Sequence, residues 1–348
     1  MKIEKLKISN IDLSKVKRIL VIKLRAVGDV LLTTPVIRNL KENFPEAEID
    51  FLTEPLSEDI LKSNSFLNNL IVFGRREKGY LKFLLSLKKK NYDLVIDLFC
   101  NPRSAQMTFA TRAKYRVGYS FRLRRYAYNV LLKSRGHEVH NVDFNLDALR
   151  ALGLKVNHGI PVLQITPREL DLAREFFRKN FSENDKIIGI NAGGGWEAKL
   201  WGLKKFAELS DRLIENYDYK VLIFWGPGQI QIYENLKKMM RYEPFIAPPT
   251  SLREMAALQK RCDFVISNDS GPMHISAAVG TPTIGIFGPT NPKLQGPVGE
   301  GCMTIVKEGL SCLGCNLTAC KIGNLCMTEL SVDDVLNKII IWRKIYGK

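Results

Sequence analysis

The chain has 348 residues, 45% of them hydrophobic and 25% charged, with a formal net charge of +16. That composition excludes a disordered or fibrous chain, and the length predicts two domains. No apolar run approaches the roughly 18–20 residues of a membrane span, and Met1-Lys-Ile-Glu-Lys-Leu-Lys7 lacks the apolar core of a secretory leader, so a cytoplasmic location is expected.

Short apolar runs alternate with amphipathic stretches along the chain. Arg18 to Lys23 reads as a buried strand, followed by a helical segment toward Glu42. Ala47–Leu52, Asn69–Phe73 and Tyr92–Asp97 read as further strands, with helical spacing over Lys82–Lys90. Polar residues gather near 155–185, which places a domain boundary near 163. Beyond it, Lys186–Ile190, Lys220–Phe224, Phe264–Ser267 and Thr283–Phe287 predict strands, separated by helices over 204–216, 229–241, 251–260 and 272–279. Val332–Tyr346 predicts a closing helix that packs on either half. Strands alternating with helices imply parallel sheets covered on both faces. The expected fold is therefore α/β, with domains at 1–163 and 164–348.

Charge divides unevenly. Residues 1–160 hold 29 basic and 16 acidic residues, most of the net charge. Between Phe99 and His137 lie nine basic residues, Arg103 and Arg122 among them, and no acidic one. Such asymmetry points to a polyanionic partner (nucleic acid, anionic membrane or phosphorylated substrate) or to a solvated face.

Three motifs carry chemistry. Leu24-Arg25-Ala-Val-Gly28-Asp29, followed by Thr33-Thr34-Pro35, comes directly after the first strand. Asp29 suits a helix cap by itself. Pro35 suits either a first helical turn or a kink. Neither GxGxxG nor GxxxxGK[ST] is present, which argues against an ordinary dinucleotide site or P-loop. The second motif is Asn191-Ala-Gly193-Gly194-Gly195-Trp196, followed by Lys199-Leu-Trp201, where glycines let a backbone approach an anion and Lys199 supplies a point charge. The third is Ser267-Asn-Asp269-Ser270-Gly271-Pro272-Met273-His274, followed by Gly280-Thr-Pro282 and Phe287-Gly-Pro-Thr290. A strand ending there, with Pro272 opening a helix, makes an anion site at a helix N-terminus.

In order and spacing, over residues 18–330, these motifs resemble glycosyltransferase family 9, the family of the ADP-heptose:lipopolysaccharide heptosyltransferases. The resemblance implies the GT-B arrangement, two facing Rossmann-like domains around a cleft, and a metal-independent inverting transfer with no catalytic cofactor. It implies that Asp29 is the general base. Gly194, Gly195, Lys199, Ser270, Gly271, Pro272, Met273 and His274 would bind the donor phosphates, Asp269 the donor sugar and Thr250 the nucleoside. The implied donor is ADP-heptose and the implied acceptor the lipid A–Kdo inner core of lipopolysaccharide, held by Arg25, Arg103 and Arg122. The implied location is the inner face of the cytoplasmic membrane, with peripheral contact to its anionic surface. Two departures touch the nucleoside side: Gly202 stands where proline is usual, and Gln229 where glutamate is common. Rival readings are a different nucleotide sugar and a nucleotide-sugar epimerase. Nucleic-acid binding lacks any helix-turn-helix, RNP or zinc-finger signature.

Four of seven cysteines form Cys312-x2-Cys315-x4-Cys320-x5-Cys326. A structural Zn²⁺ or iron–sulfur site, disulfides and reduced thiols all stay open for this spacing.

Overall fold

The structure, a computed structural model, describes residues 11–346. It divides into two compact units between Leu163 and Gln164. In the first unit the order is β1 (Arg18–Ile22), α1 (Val27–Leu31), α2 (Thr34–Asn43), β2 (Glu48–Thr53), α3 (Glu58–Leu61) and β3 (Asn69–Val72). Then follow α4 (Tyr80–Lys89), β4 (Leu94–Asp97), α5 (Pro102–Ala110), β5 (Tyr115–Tyr119), β6 (Val130–Leu132) and α6 (Asn141–Ala151). The second unit opens with α7 (Pro167–Asn180), β7 (Lys186–Asn191), α8 (Leu203–Tyr217), β8 (Tyr219–Ile223), α9 (Ile230–Met239) and β9 (Phe245–Ile246). It continues with α10 (Leu252–Gln259), β10 (Phe264–Asn268), α11 (Gly271–Ala278), β11 (Thr283–Ile286), α12 (Pro292–Gln295), β12 (Met303–Ile305), α13 (Leu325–Thr328) and α14 (Val332–Tyr346).

Each unit carries one six-stranded sheet, ordered β3-β2-β1-β4-β5-β6 and β12-β11-β10-β7-β8-β9, and every pairing is parallel. These two orders are the same Rossmann order, each read from its own first strand. The strand order reverses between β1 and β4 in one sheet and between β7 and β10 in the other. Open α/β sheets bind ligands outside the carboxyl ends of the strands at that reversal. All three sequence motifs follow the strands that flank these points.

Burial explains the strands. Ile19, Leu20, Val21 and Ile22 of β1 are wholly buried, as a parallel sheet covered on both faces demands. The helix expected toward Glu42 is interrupted. Thr33 and Thr34 hydroxyls donate to the carbonyls of Val30 (2.6 Å) and Leu31 (2.9 Å), α1 ends, and Pro35 sits in the first turn of α2. The polar stretch expected to be a boundary holds α7, whose Thr166–Glu169 capping box and Pro167 start it. Just before it, residues 155–162 run along α2. Asn39 Oδ1 accepts from Asn157 N at 2.7 Å, and Val162 N donates to Thr34 Oγ1 at 3.0 Å. The closing helix α14 packs within the second unit, with Trp342 against Phe264 at 5.1 Å and its indole N–H on the Gly301 carbonyl at 2.7 Å.

Candidate active site

In the second unit, β7 and β10 lie side by side and their loops interlock. Asn268, the last residue of β10, holds both ends of the glycine loop: its amide donates to the Ala192 carbonyl at 2.6 Å and its Oδ1 accepts from Trp201 N at 3.1 Å. Trp201 is anchored in turn through its indole N–H to the Leu330 carbonyl at 2.9 Å. Between these anchors Lys199 reaches Asp269 at 2.7 Å, with 13% and 4% of the two side chains exposed. The ammonium also lies 4.4 Å from the centre of the Trp196 ring. Buried Thr290 donates its hydroxyl to the same Oδ2 of Asp269 that meets Lys199. A cation and a carboxylate thus stand adjacent at the strand ends, both fixed from behind.

The glycines of this loop are not equivalent. Gly195 has open space around it and Gly194 has only the Leu200 methyl nearby, whereas a Cβ on Gly193 would collide with the Tyr233 hydroxyl and approach Gln229 Oε1 to 2.9 Å. Ser270 precedes α11, whose first turn contains Gly271 and Pro272, and all three are partly accessible. Met273 and His274 are buried, Met273 beside Gly285. Thr250 is half-buried in the loop after β9, directly before the Ser251 cap of α10, and Gln229 caps α9 after β8.

The first unit places Asp29 at the third position of α1, where its Oδ2 accepts from Ala26 N at 3.2 Å. Capping is therefore one real role of this carboxylate. Arg25, three residues past β1, is exposed. Lys23 donates to the Leu98 carbonyl at 3.1 Å and faces the Phe99 ring. Burial holds its pKa below the ordinary lysine value, against the pull of Asp29, Cys100 and Asp97. Asp97, at the end of β4, is wholly enclosed. It accepts from Phe99 N (2.9 Å), Cys100 N (2.8 Å) and Tyr128 Oη (2.7 Å), and burial raises its pKa.

Arg103 is engaged internally, with one guanidinium nitrogen on Glu54 Oε1 (2.7 Å) and another on the carbonyls of Phe73 (3.0 Å) and Gly74 (2.6 Å). It ties the loops after β2 and β3 to the start of α5, which gives Arg103 a framework role. The side chain of Arg122 lies outside the described residues.

The family model of glycosyltransferase family 9 (heptosyltransferase) matches residues 80–325, more than half of the chain and all of the second and third motifs. The chain belongs to glycosyltransferase family 9. It is 26% identical over 348 residues to lipopolysaccharide heptosyltransferase 1 of Campylobacter coli, covering 92% of this chain and 98% of that one. The structure of a family 9 glycosyltransferase from Veillonella parvula superposes with a TM-score of 0.84 at 24% identity, over 94% of this chain and 97% of that one. An ADP-heptose lipopolysaccharide heptosyltransferase II from Escherichia coli gives 0.76 at 22%, over 93% and 98%. The chain is thus a glycosyltransferase with the GT-B fold.

In this family 9 enzyme the four clustered cysteines line one cavity of about 160 Å³ with Pro289, Leu317 and Leu325. All four are free thiols in this structure. Among the described residues no three His, Cys, Asp or Glu side chains gather closely enough to hold a metal ion, so the thiols do not form the shell that a zinc or iron–sulfur site requires. Burial and the three neighbouring thiols push the pKa of Cys326 up, which favours its neutral form.

Proposed function

We propose that this glycosyltransferase moves a heptose from ADP-heptose to the inner core of lipopolysaccharide, with inversion at the anomeric carbon. The observation that carries the reading is the Lys199–Asp269 pair at the reversal of the second sheet. It offers a cation for a diphosphate and, beside it, a carboxylate for sugar hydroxyls. The Campylobacter coli relative is named for lipopolysaccharide and the Escherichia coli structure for ADP-heptose, which supports both substrates.

The chemistry follows from charge. An acceptor hydroxyl attacks the anomeric carbon from the face opposite the nucleotide and gives its proton to Asp29. The bond from that carbon to the diphosphate breaks and ADP departs with the electron pair. Lys199 and the first turn of α11, from Ser270 through His274, stabilise the charge that develops on the phosphates, so the departure needs no divalent metal. Gly194 and Gly195 leave the loop backbone open to the diphosphate, and Thr250 lies on the nucleoside side. Arg25 is the exposed cation nearest in sequence to Asp29 and holds the acidic acceptor. The acceptor is borne by a lipid at the cytoplasmic face of the membrane. Among the described residues no helix is long and apolar enough to cross a membrane, so contact with that lipid is from the surface.

ADP release from ADP-heptose, measured with and without a Kdo–lipid A acceptor, tests the reading. Release that depends on acceptor supports it. Turnover of donor alone into an epimer, or activity only with another nucleotide sugar, overturns it.

A further inference from the structure

The basic residues that the sequence concentrates between Phe99 and His137 are partly enclosed. Arg103 is held as described, Arg116 donates to the carbonyls of Ala127 and Ala113, and Arg135 grips Asp147 with two nitrogens. Arg112, Lys114, Arg125 and Lys133 of that stretch are exposed, and a second segment carries exposed charge beside an apolar face. Arg75, Arg76, Lys78, Lys82, Lys88 and Lys89 are all exposed. Glu77, the one acidic residue among them, turns its carboxylate back onto the Gly74 N–H at 2.6 Å.

Helix α4 runs through this segment with one face properly packed. Leu87 is buried, and Phe83 stacks on Phe73 at 3.9 Å. Its other face is unusual. Leu81 and Leu85, one turn apart, are 72% and 54% exposed. At helical spacing Lys88 borders this leucine pair on one side, and Lys82 and Lys89 border it on the other.

We propose that this outer face of α4 docks the enzyme on an anionic lipid bilayer. Charge complementarity alone would admit any acidic partner, but two leucines between lysines select the bilayer. The leucines enter the boundary of the acyl chains while the lysines extend to the lipid phosphates. Nucleic acid or an acidic protein surface would satisfy the lysines and leave Leu81 and Leu85 in water. The inference deepens the proposed function, whose acceptor is lipid-borne, by naming the surface that brings the enzyme to it.

Co-sedimentation of the full chain with phosphatidylcholine vesicles, with and without phosphatidylglycerol, tests the surface with no sugar substrate present. Binding to the anionic vesicles alone is expected. The Leu81→Ser/Leu85→Ser variant should bind at least tenfold more weakly. At about fivefold per cation near an anionic surface, Lys82→Ser/Lys88→Ser/Lys89→Ser should lose on the order of 100-fold. Both variants should keep wild-type ADP release with a water-soluble, delipidated acceptor, because none of these residues belongs to the active site. Absence of binding to anionic vesicles, or equal binding by the variants, overturns the proposal. So does a wild-type dimer in ultracentrifugation that the leucine variant abolishes, since a second copy would then cover the face. A failure of heptosyl transfer would overturn the proposed function and leave the vesicle result standing.

Discussion

Lys199 and Asp269 meet at 2.7 Å across the carboxyl ends of adjacent strands, almost closed off from solvent. Neither charge is expendable without the other. Removing one partner of an enclosed ion pair leaves the second unpaired, at a cost of roughly 3 kcal/mol. Lys199→Met and Asp269→Leu should each lower unfolding stability in urea by about that much. The double variant should lose clearly less than the sum of the two. Donor affinity, read by ADP titration, should fall with Lys199→Met, which removes the cation proposed to meet the phosphates.

Gly193 gives a sharper geometric test. Gly193→Ala drives a methyl group into the Tyr233 hydroxyl and should shift the loop that carries Lys199, raising the donor KM roughly tenfold or more. Tyr233→Phe removes the obstructing oxygen and should change little alone. Combined with Gly193→Ala it should recover most of the lost affinity, because Gln229 can swing aside. Steady-state kinetics on the three variants decide this.

Asp97 makes stability depend on pH in a predictable direction. Burial raises its pKa above the ordinary 3.8, so the native state holds this proton more tightly than the unfolded chain does. Its contribution to stability is then fully present below pH ~3.8 and is lost as pH rises through the raised native value. Asp97→Asn removes that titration while keeping an oxygen for the Phe99 and Cys100 amides. Urea unfolding of the two proteins from pH 4 to pH 8 should show the wild type losing stability relative to Asp97→Asn as pH rises.

Arg103 should behave as a structural clamp. Arg103→Lys keeps the charge and loses the fork that spans Glu54 and two carbonyls. A loss of about 2 kcal/mol in urea unfolding is expected for such charge-assisted hydrogen bonds. Acceptor KM should be unchanged in the fraction that stays folded.

Much of this fold was legible because long apolar strands and amphipathic helices announce themselves. The strands from β1 to β4, together with β7, β8, β10 and β11, all correspond to runs visible in the sequence. The missed strands have physical reasons. β6, β9 and β12 hold two or three residues each, too few for a periodic pattern, and β5 is interrupted by Arg116 and Gly118. Helix α7 hid among polar residues because its buried face is narrow, with Ala173 and Phe177 inside. The motif loops were visible through their glycines, Pro272 and acidic residues. The supports of those loops were not. Asn268 and Thr290 act on partners 21 to 76 residues away, and Lys23 is distinguished by burial that no local pattern reports. Charge patterning likewise could not show that Arg103 faces Glu54 while the lysines of α4 face water.

Asp29 tests the central claim most directly, because asparagine separates its observed cap from the proposed role as base. Asp29→Asn keeps an oxygen for the Ala26 N–H, and so keeps the cap, but cannot accept the acceptor's proton. The measurement is acceptor-dependent ADP release from ADP-heptose by wild type and Asp29→Asn, with urea stability as the control for folding. The account predicts a variant of near wild-type stability and donor affinity whose rate falls about 10²–10⁴-fold. Full acceptor-dependent turnover by a folded Asp29→Asn would contradict it.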